Sequence, residues 1–245
     1  MSEELLRLTD LHVSFRSGGG WKKKEEKHVL KGVSFSVAPG EIVGLAGESG
    51  SGKSTIAKAI LGMVPYQSGS IEKNCASPQM IFQDPYSSLN SAYSISWILQ
   101  EPLRLAGGYT REQLKEKAAA MMREVGLDEE LLIRKPRELS GGQRQRVCIG
   151  MALMRSPELL IADEPVSALD VTVAAQVLAL LKKLHEEKGL AMLFISHDLR
   201  TMYHFCDRIL ILHDGRIVEE GIPSQLYRDP KEDYTRLLLK SAGIS

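Results

Sequence analysis

Apolar positions recur along this chain in two periods, and the order of the periods predicts the architecture. Residues 5–15 and 33–37 alternate apolar with polar positions, as in Val33, Phe35 and Val37, and predict strands. Between them runs SGGGWKKKEEKH (17–28), glycine-rich and then charged, which predicts a solvated hairpin loop. Pro39-Gly40 marks a turn, and EIVGLAG at 41–47 is an unbroken apolar run of the kind that forms a buried parallel strand. A helix is predicted from 53 to about 63.

The middle of the chain changes period. Residues 94–134 read mostly as helix, with Thr110 and Gln113 placed to form a capping box before LKEKAAAMMREVG. Another helix is predicted just after Ser140. Strands at 158–162, 190–195, 207–213 and 216–219 then alternate with helices at 172–188 and 198–205. This order predicts an α/β fold with a mainly parallel sheet and right-handed crossovers. A helical insertion, about 84–156, interrupts it.

Composition narrows the class without naming it. The chain has 245 residues, 43% hydrophobic and 25% charged, as in an ordinary globular protein. Its formal net charge is zero, so no basic footprint points to nucleic acid or to an anionic membrane. Cys75, Cys148 and Cys206 lie far apart, without metal-site or disulfide spacing, as suits a reducing compartment. The acidic N-terminal decapeptide lacks the apolar run of a signal peptide. No stretch approaches the roughly 20 apolar residues that span a bilayer. Work at a membrane would therefore need a partner.

Chemistry enters at Gly47, Glu48, Ser49, Gly50, Ser51, Gly52, Lys53 and Ser54, which match GxxxxGK[ST] between an apolar strand and a helix. Glycines let the backbone close around phosphates with its N–H groups inward, and the new helix adds its positive end. Lys53 offers a charge to the β- and γ-phosphates, and the Ser54 hydroxyl can ligate Mg²⁺. These features predict a nucleotide site in the core of a P-loop NTPase. The apolar strand at 159–162 ends in Asp163-Glu164. Asp163 fits the Mg²⁺-holding role opposite Ser54, and Glu164 could polarise an attacking water.

Leu139-Ser140-Gly141-Gly142-Gln143 lies between those motifs, directly before a helix. It resembles the LSGGQ signature of the ABC ATPases, and the resemblance covers essentially the whole chain. Gln83 in IFQDP matches the family's Q-loop, Ser167–Asp170 its D-loop and His197 in FISHD its H-switch. The resemblance implies one ABC ATPase domain over 1–245. An N-terminal antiparallel β subdomain and a RecA-like core would occupy about 1–83 and 157–245, and a helical signature subdomain about 84–156. It implies two cassettes paired head to tail around two nucleotides. One would supply the phosphate loop through Thr55, with Gln83, Asp163, Glu164 and His197. The other would supply Ser140, Gly141, Gly142 and Gln143. Gln83 would also sense Mg²⁺. Adenine would stack on an early aromatic, Phe15 fitting best by position, with Trp21 and His28 as alternatives.

Longer runs narrow the resemblance to the ATP-binding subunits of bacterial dipeptide, oligopeptide and nickel importers. They are QDPYSSLN (83–90), SGGQRQRV (140–147), ADEPVSALDVTVAAQVLALL (162–181), ISHDL (195–199) and DPKEDYTRLLL (229–239). The implied partners are a second ATPase subunit, as heterodimer or homodimer, two membrane permeases and, indirectly, an extracytoplasmic binding protein, but no nucleic acid. The implied place is peripheral, on the cytoplasmic membrane face. Three departures stand out: a short 70–83 segment, Met151 where arginine is common, and little chain after Tyr234, which leans toward nickel or metal-chelate systems. The alternative is an ABC ATPase in a non-transport complex. Tyr86, Leu89 and Trp97 are expected to form an apolar groove for a permease helix, although Trp97 also reads simply as core.

Overall fold

The computed structural model describes residues 4–17, 25–84 and 88–244. Strands β1 (Leu6–Ser17), β2 (Glu25–Val37) and β3 (Ile42–Ala46) lead to helix α1 (Lys53–Ile60), then to β4 (Ser68–Lys73) and β5 (Gln79–Ile81). Next come α2 (Ile95–Ala106), α3 (Arg111–Glu124), 3-10 turns at Glu129–Ile133 and Pro136–Glu138, and α4 (Gly141–Leu153). The chain then alternates β6 (Leu159–Asp163), α5 (Val171–Lys188), β7 (Ala191–Ile195), α6 (Leu199–Phe205), β8 (Arg208–His213) and β9 (Arg216–Gly221). It closes with α7 (Pro223–Arg228) and α8 (Asp233–Ser241).

Two sheets result. An antiparallel sheet orders β2-β1-β4, and a six-stranded sheet orders β5-β6-β7-β3-β8-β9. The latter is parallel from β5 through β8, and only β9 runs antiparallel, against β8. Its central strands are buried on both faces, which explains runs such as LLIAD and AMLFI without polar alternation. Successive side chains feed opposite cores. Leu159, Ile161, Leu193 and Ile195 join β1, β2 and α1 in one core, whereas Leu160, Met192 and Phe194 join the helices in the other.

The helical stretch shares that second core: Ile98, Leu99, Met122 and Val147 are contiguous with the sheet's helical face. Thr110 and Gln113 form the expected capping box on α3. Met151, where a charged residue was the alternative, packs against the same core.

Several boundaries differ from the sequence expectations. The hairpin pairs out to Ser17 and Glu25, so strand replaces the loop expected over 17 and 25–28; cross-strand pairing of 14–16 with 26–28 carries it on. Helix α1 stops at Ile60, because Gly62 takes a left-handed φ of 73°. The short 70–83 segment contributes to both sheets, β4 to one and β5 to the edge of the other. In the expected groove, Tyr86 lies outside the described residues. Leu89 is buried at 3% exposure, whereas Trp97 is 46% exposed, so the groove and core assignments exchange places. Among the described residues no helix is long and apolar enough to cross a membrane.

Phe194 is fully buried at the centre of the sheet, tilted against Phe205 with ring centroids 4.7 Å apart. Phe194→Ala is expected to lower unfolding stability by about 3–5 kcal/mol, measured by urea denaturation, because the surrounding strands cannot close the cavity.

A candidate phosphate-binding cleft at the sheet edge

The carboxyl ends of β3, β6 and β7 converge where the parallel strands stop, the usual ligand edge of such sheets. The loop after β3 is shaped by close approach. A side chain at Gly47 (φ 153°) would meet Leu212 O at 2.3 Å, and one at Gly52 (φ 114°) would meet the Leu30 side chain at 2.7 Å. Only glycine fits either position. Helix α1 then starts with Gly52 as N-cap and no side-chain cap, leaving its first N–H groups for an anion.

The loop borders a cleft of about 550 Å³, lined by Val29, Ser49, Gly50, Gly52, Lys53, Ser54, Thr55, Gln83, Asp163, Glu164 and His197. Four separate sequence motifs therefore meet there. Lys53 is buried, and its Nζ donates to Gly47 O at 2.7 Å and to Glu48 O at 2.9 Å. Burial lowers its pKa, while Glu164, Asp163 and Glu48 oppose that shift through their charge.

Asp163 ends β6 at 5% exposure. Burial raises its pKa, and a hydrogen bond from Ser54 works the other way. Its Oδ1 is buried and has no hydrogen-bond partner among the described residues. An orphaned carboxylate oxygen beside a hydroxyl is the donor set that a hard cation such as Mg²⁺ takes, together with phosphate oxygens. Among the described residues no cluster of three or more His, Cys, Asp or Glu forms an all-protein metal cage.

Glu164 adopts a left-handed backbone, φ 51°, which costs a non-glycine residue about 1–2 kcal/mol. Its neighbours hold it there: Glu164 N–H donates to Ile195 O at 2.9 Å, and the Ser167 hydroxyl donates to Glu164 O at 3.1 Å. The turn aims the carboxylate at His197, whose Nδ1 lies 2.8 and 2.9 Å from its two oxygens. An ionised carboxylate only accepts, so Nδ1 carries the proton and Nε2 is left for another partner. Because β6 and β7 are neighbours, the ends of both strands deliver this pair.

Other expected site residues lie elsewhere. Ser140 caps α4 reciprocally with Gln143, at 3.3 and 2.9 Å, which leaves the Gly141 and Gly142 N–H groups outside the box. The start of α4 packs on Leu169 and Val173, and none of these four signature residues lines the cleft. Gly47, Glu48 and Ser51 belong to the loop but are not among the lining residues. Phe15 is 43% exposed on β1 and His28 is exposed on β2; neither lines the cleft, and Trp21 lies outside the described residues. Val29 does line it. No sequence signal marked Val29, since an apolar residue in a strand reads as core.

Known proteins resemble this chain over most of its length. The family model described as ABC transporter matches residues 30–167. The chain is 44% identical to the oligopeptide transport ATP-binding protein OppF of Streptococcus pyogenes serotype M1, covering 100% of this chain and 83% of that one. It is 40% identical to the probable D,D-dipeptide transport ATP-binding protein DdpF of Escherichia coli K12, covering 98% and 80%. Among solved structures, the ATP-binding cassette MJ0796, a dimer in a post-hydrolysis state with ADP and Pi, superposes with a TM-score of 0.78. It is 28% identical, over 89% of this chain and 98% of that one. CbiO1 of Clostridium perfringens shares the fold at a TM-score of 0.79 and 24% identity, over 92% and 91%. With the cleft's geometry, these likenesses establish that the chain belongs to the ABC transporter family and is an ATP-binding, ATP-hydrolysing subunit of it.

Proposed function

We propose that this chain energises a peptide importer by hydrolysing ATP at composite sites formed by two cassettes. The observation that carries this is the split of the machinery. Lys53, Ser54, Gln83, Asp163, Glu164 and His197 share one cleft, while the capped start of α4 lies outside it, with the N–H groups of Gly141 and Gly142 not used by the capping box. A second cassette supplies its own Ser140–Gln143 to complete each site, as a homodimer or with a different ATPase subunit. The cassette MJ0796 is a dimer in its post-hydrolysis state bound to ADP and Pi. Peptide is the cargo class because the relatives at 40% and 44% identity are named for dipeptide and oligopeptide transport; nickel draws no support from them. Two membrane permeases and a binding protein outside the membrane complete the assembly, with this subunit on the cytoplasmic face.

In this reading the chain is one cassette domain, with a core of about 1–83 and 157–245 and a helical signature subdomain of about 84–156. The loop from Gly47 to Thr55 cradles the phosphates through those of its N–H groups that face the cleft, and Lys53 neutralises charge on the β- and γ-phosphates. Ser54, Asp163 and Gln83 would hold Mg²⁺, which when bound offsets the charge of the transferred phosphoryl group. Glu164 orients the attacking water, and His197, steadied through Nδ1, presents Nε2 toward the γ-phosphate. Phe15 remains the proposed adenine partner. Trp97 serves as the permease-facing surface. It stacks on Tyr93 at 5.4 Å and lies under the Arg104 guanidinium at 3.7 Å, which makes a rigid, exposed aromatic shelf.

Glu164→Gln is expected to reduce ATP turnover by at least ~10²-fold and to retain ATP binding, with an ATP-dependent dimer trapped on sizing. A mutant that turns over normally would remove Glu164 from the chemistry. Asp163→Asn should abolish Mg²⁺-dependent turnover yet raise the thermal midpoint of the nucleotide-free chain. The sign follows from linkage: a carboxyl whose folded pKa is raised by burial binds more protons folded than unfolded, so its charged form loses stability as pH rises through that window. Neutral asparagine escapes the penalty while keeping an acceptor for Ser54. Trp97→Glu should depress peptide uptake by the assembled transporter and leave basal hydrolysis within about twofold, since a surface change away from the cleft spares its chemistry.

A further inference from the structure

The run DPKEDYTRLLL near the C-terminus has no place in the chemistry above, yet one of its side chains reaches the phosphate loop. Tyr234 lies in the first turn of α8, 186 positions from Glu48, and its phenol oxygen accepts the Glu48 N–H at 3.2 Å. The ring stacks on His213 at the end of β8, with centroids 3.7 Å apart and planes 29° apart. Glu219 on β9 accepts the backbone N–H groups of Lys231 and Glu232, at 2.8 and 3.1 Å, and so pins the entry to α8. Thr235 and Leu239 are buried beneath the helix. The hydroxyl is therefore delivered from a fixed support.

What it grips is one end of a peptide plane whose other end Lys53 grips. The Gly47 carbonyl accepts from Lys53 Nζ at 2.7 Å, and the N–H of the same peptide unit, that of Glu48, donates to Tyr234. The bond is trans, so the two groups point in opposite directions and the plane is held from both sides. Glu48 is not among the residues lining the cleft, and its N–H serves the outer wall of the loop. Loss of that acceptor would free the plane to rotate and misaim the N–H groups that follow.

We infer that Tyr234 is a positioning residue for the nucleotide site, tying the C-terminal helix to the Gly47–Glu48 peptide and presetting the loop for phosphate. This inference rests on the phosphate-loop reading of the cleft. It makes α8 a mechanical part of the nucleotide site, although no atom of α8 lines the cleft.

The test uses the purified full chain with Tyr234→Phe, which keeps the ring on His213 and removes only the acceptor, and with Lys53→Ala as control. Three quantities decide it: ATP affinity by titration calorimetry, amide exchange of the 47–52 segment, and the thermal midpoint without nucleotide. Tyr234→Phe is expected to weaken ATP about fivefold, the worth of one hydrogen bond, to speed exchange at Glu48 and to leave the midpoint unchanged. ATP affinity unchanged in Tyr234→Phe but lost in Lys53→Ala would overturn the inference alone. So would a weakening matched by a lower midpoint, which would mean a merely structural role. Affinity indifferent to Lys53→Ala would instead overturn the underlying reading of the loop.

Discussion

The close approach of the phosphate loop to both sheets organises the rest of the molecule. Gly47 lies against the Leu212 carbonyl at the end of β8, and Gly52 lies against Leu30 on β2. Lys31 on β2 also donates to the Gly215 carbonyl and pairs with Asp214, in the turn that joins β8 to β9. The antiparallel sheet is thereby fastened to the edge of the parallel one at the loop itself. A side chain at either glycine would force these elements apart. Two sheets, one helix N-terminus and the strand ends that carry Asp163 and His197 consequently keep a single mutual geometry.

That geometry puts charge where burial opposes it. Lys53 and Asp163 are both largely withdrawn from water, and burial pushes each toward its neutral form. Their mutual attraction recovers only part of that cost. The left-handed backbone at Glu164 adds strain that Ile195 and Ser167 must hold. Polar groups set in this way reorganise little when a phosphate arrives, which is the physical basis of electrostatic catalysis. Stability foregone by the chain is thus concentrated at residues that line the cleft.

The signature helix is built on the opposite principle. The Ser140–Gln143 box satisfies two backbone donors at its start, those of Ser140 and Gln143, and its body is sunk in the helical core through Val147, Cys148 and Ile149. Burial raises the Cys148 thiol to about 12, so it packs there as a neutral side chain. A helix end this rigid can be carried as a unit by the helices around it. The exposed Tyr93–Trp97 pair belongs to the same body, since α2 packs against α4 in one core.

Local chemistry made much of this legible in the sequence. Unbroken apolar runs predicted β3, β6 and β7, capping residues predicted α3 and α4, and the Gly-rich and Asp-Glu motifs predicted the contents of the cleft. These features depend on neighbours a few residues away, where propensity, period and hydrogen-bonding reach act directly. Three features depended on distant contacts. The exposure of Trp97 and the burial of Leu89 were decided by how the helical stretch meets the sheet. The Glu164–His197 pair exists because β6 and β7 are neighbours, and the Tyr234–Glu48 bond because α8 folds back across β9. Sequence specifies which groups are present and their local backbone; which of them meet is set by strand order and by packing across the two cores, where partners lie tens to hundreds of residues apart.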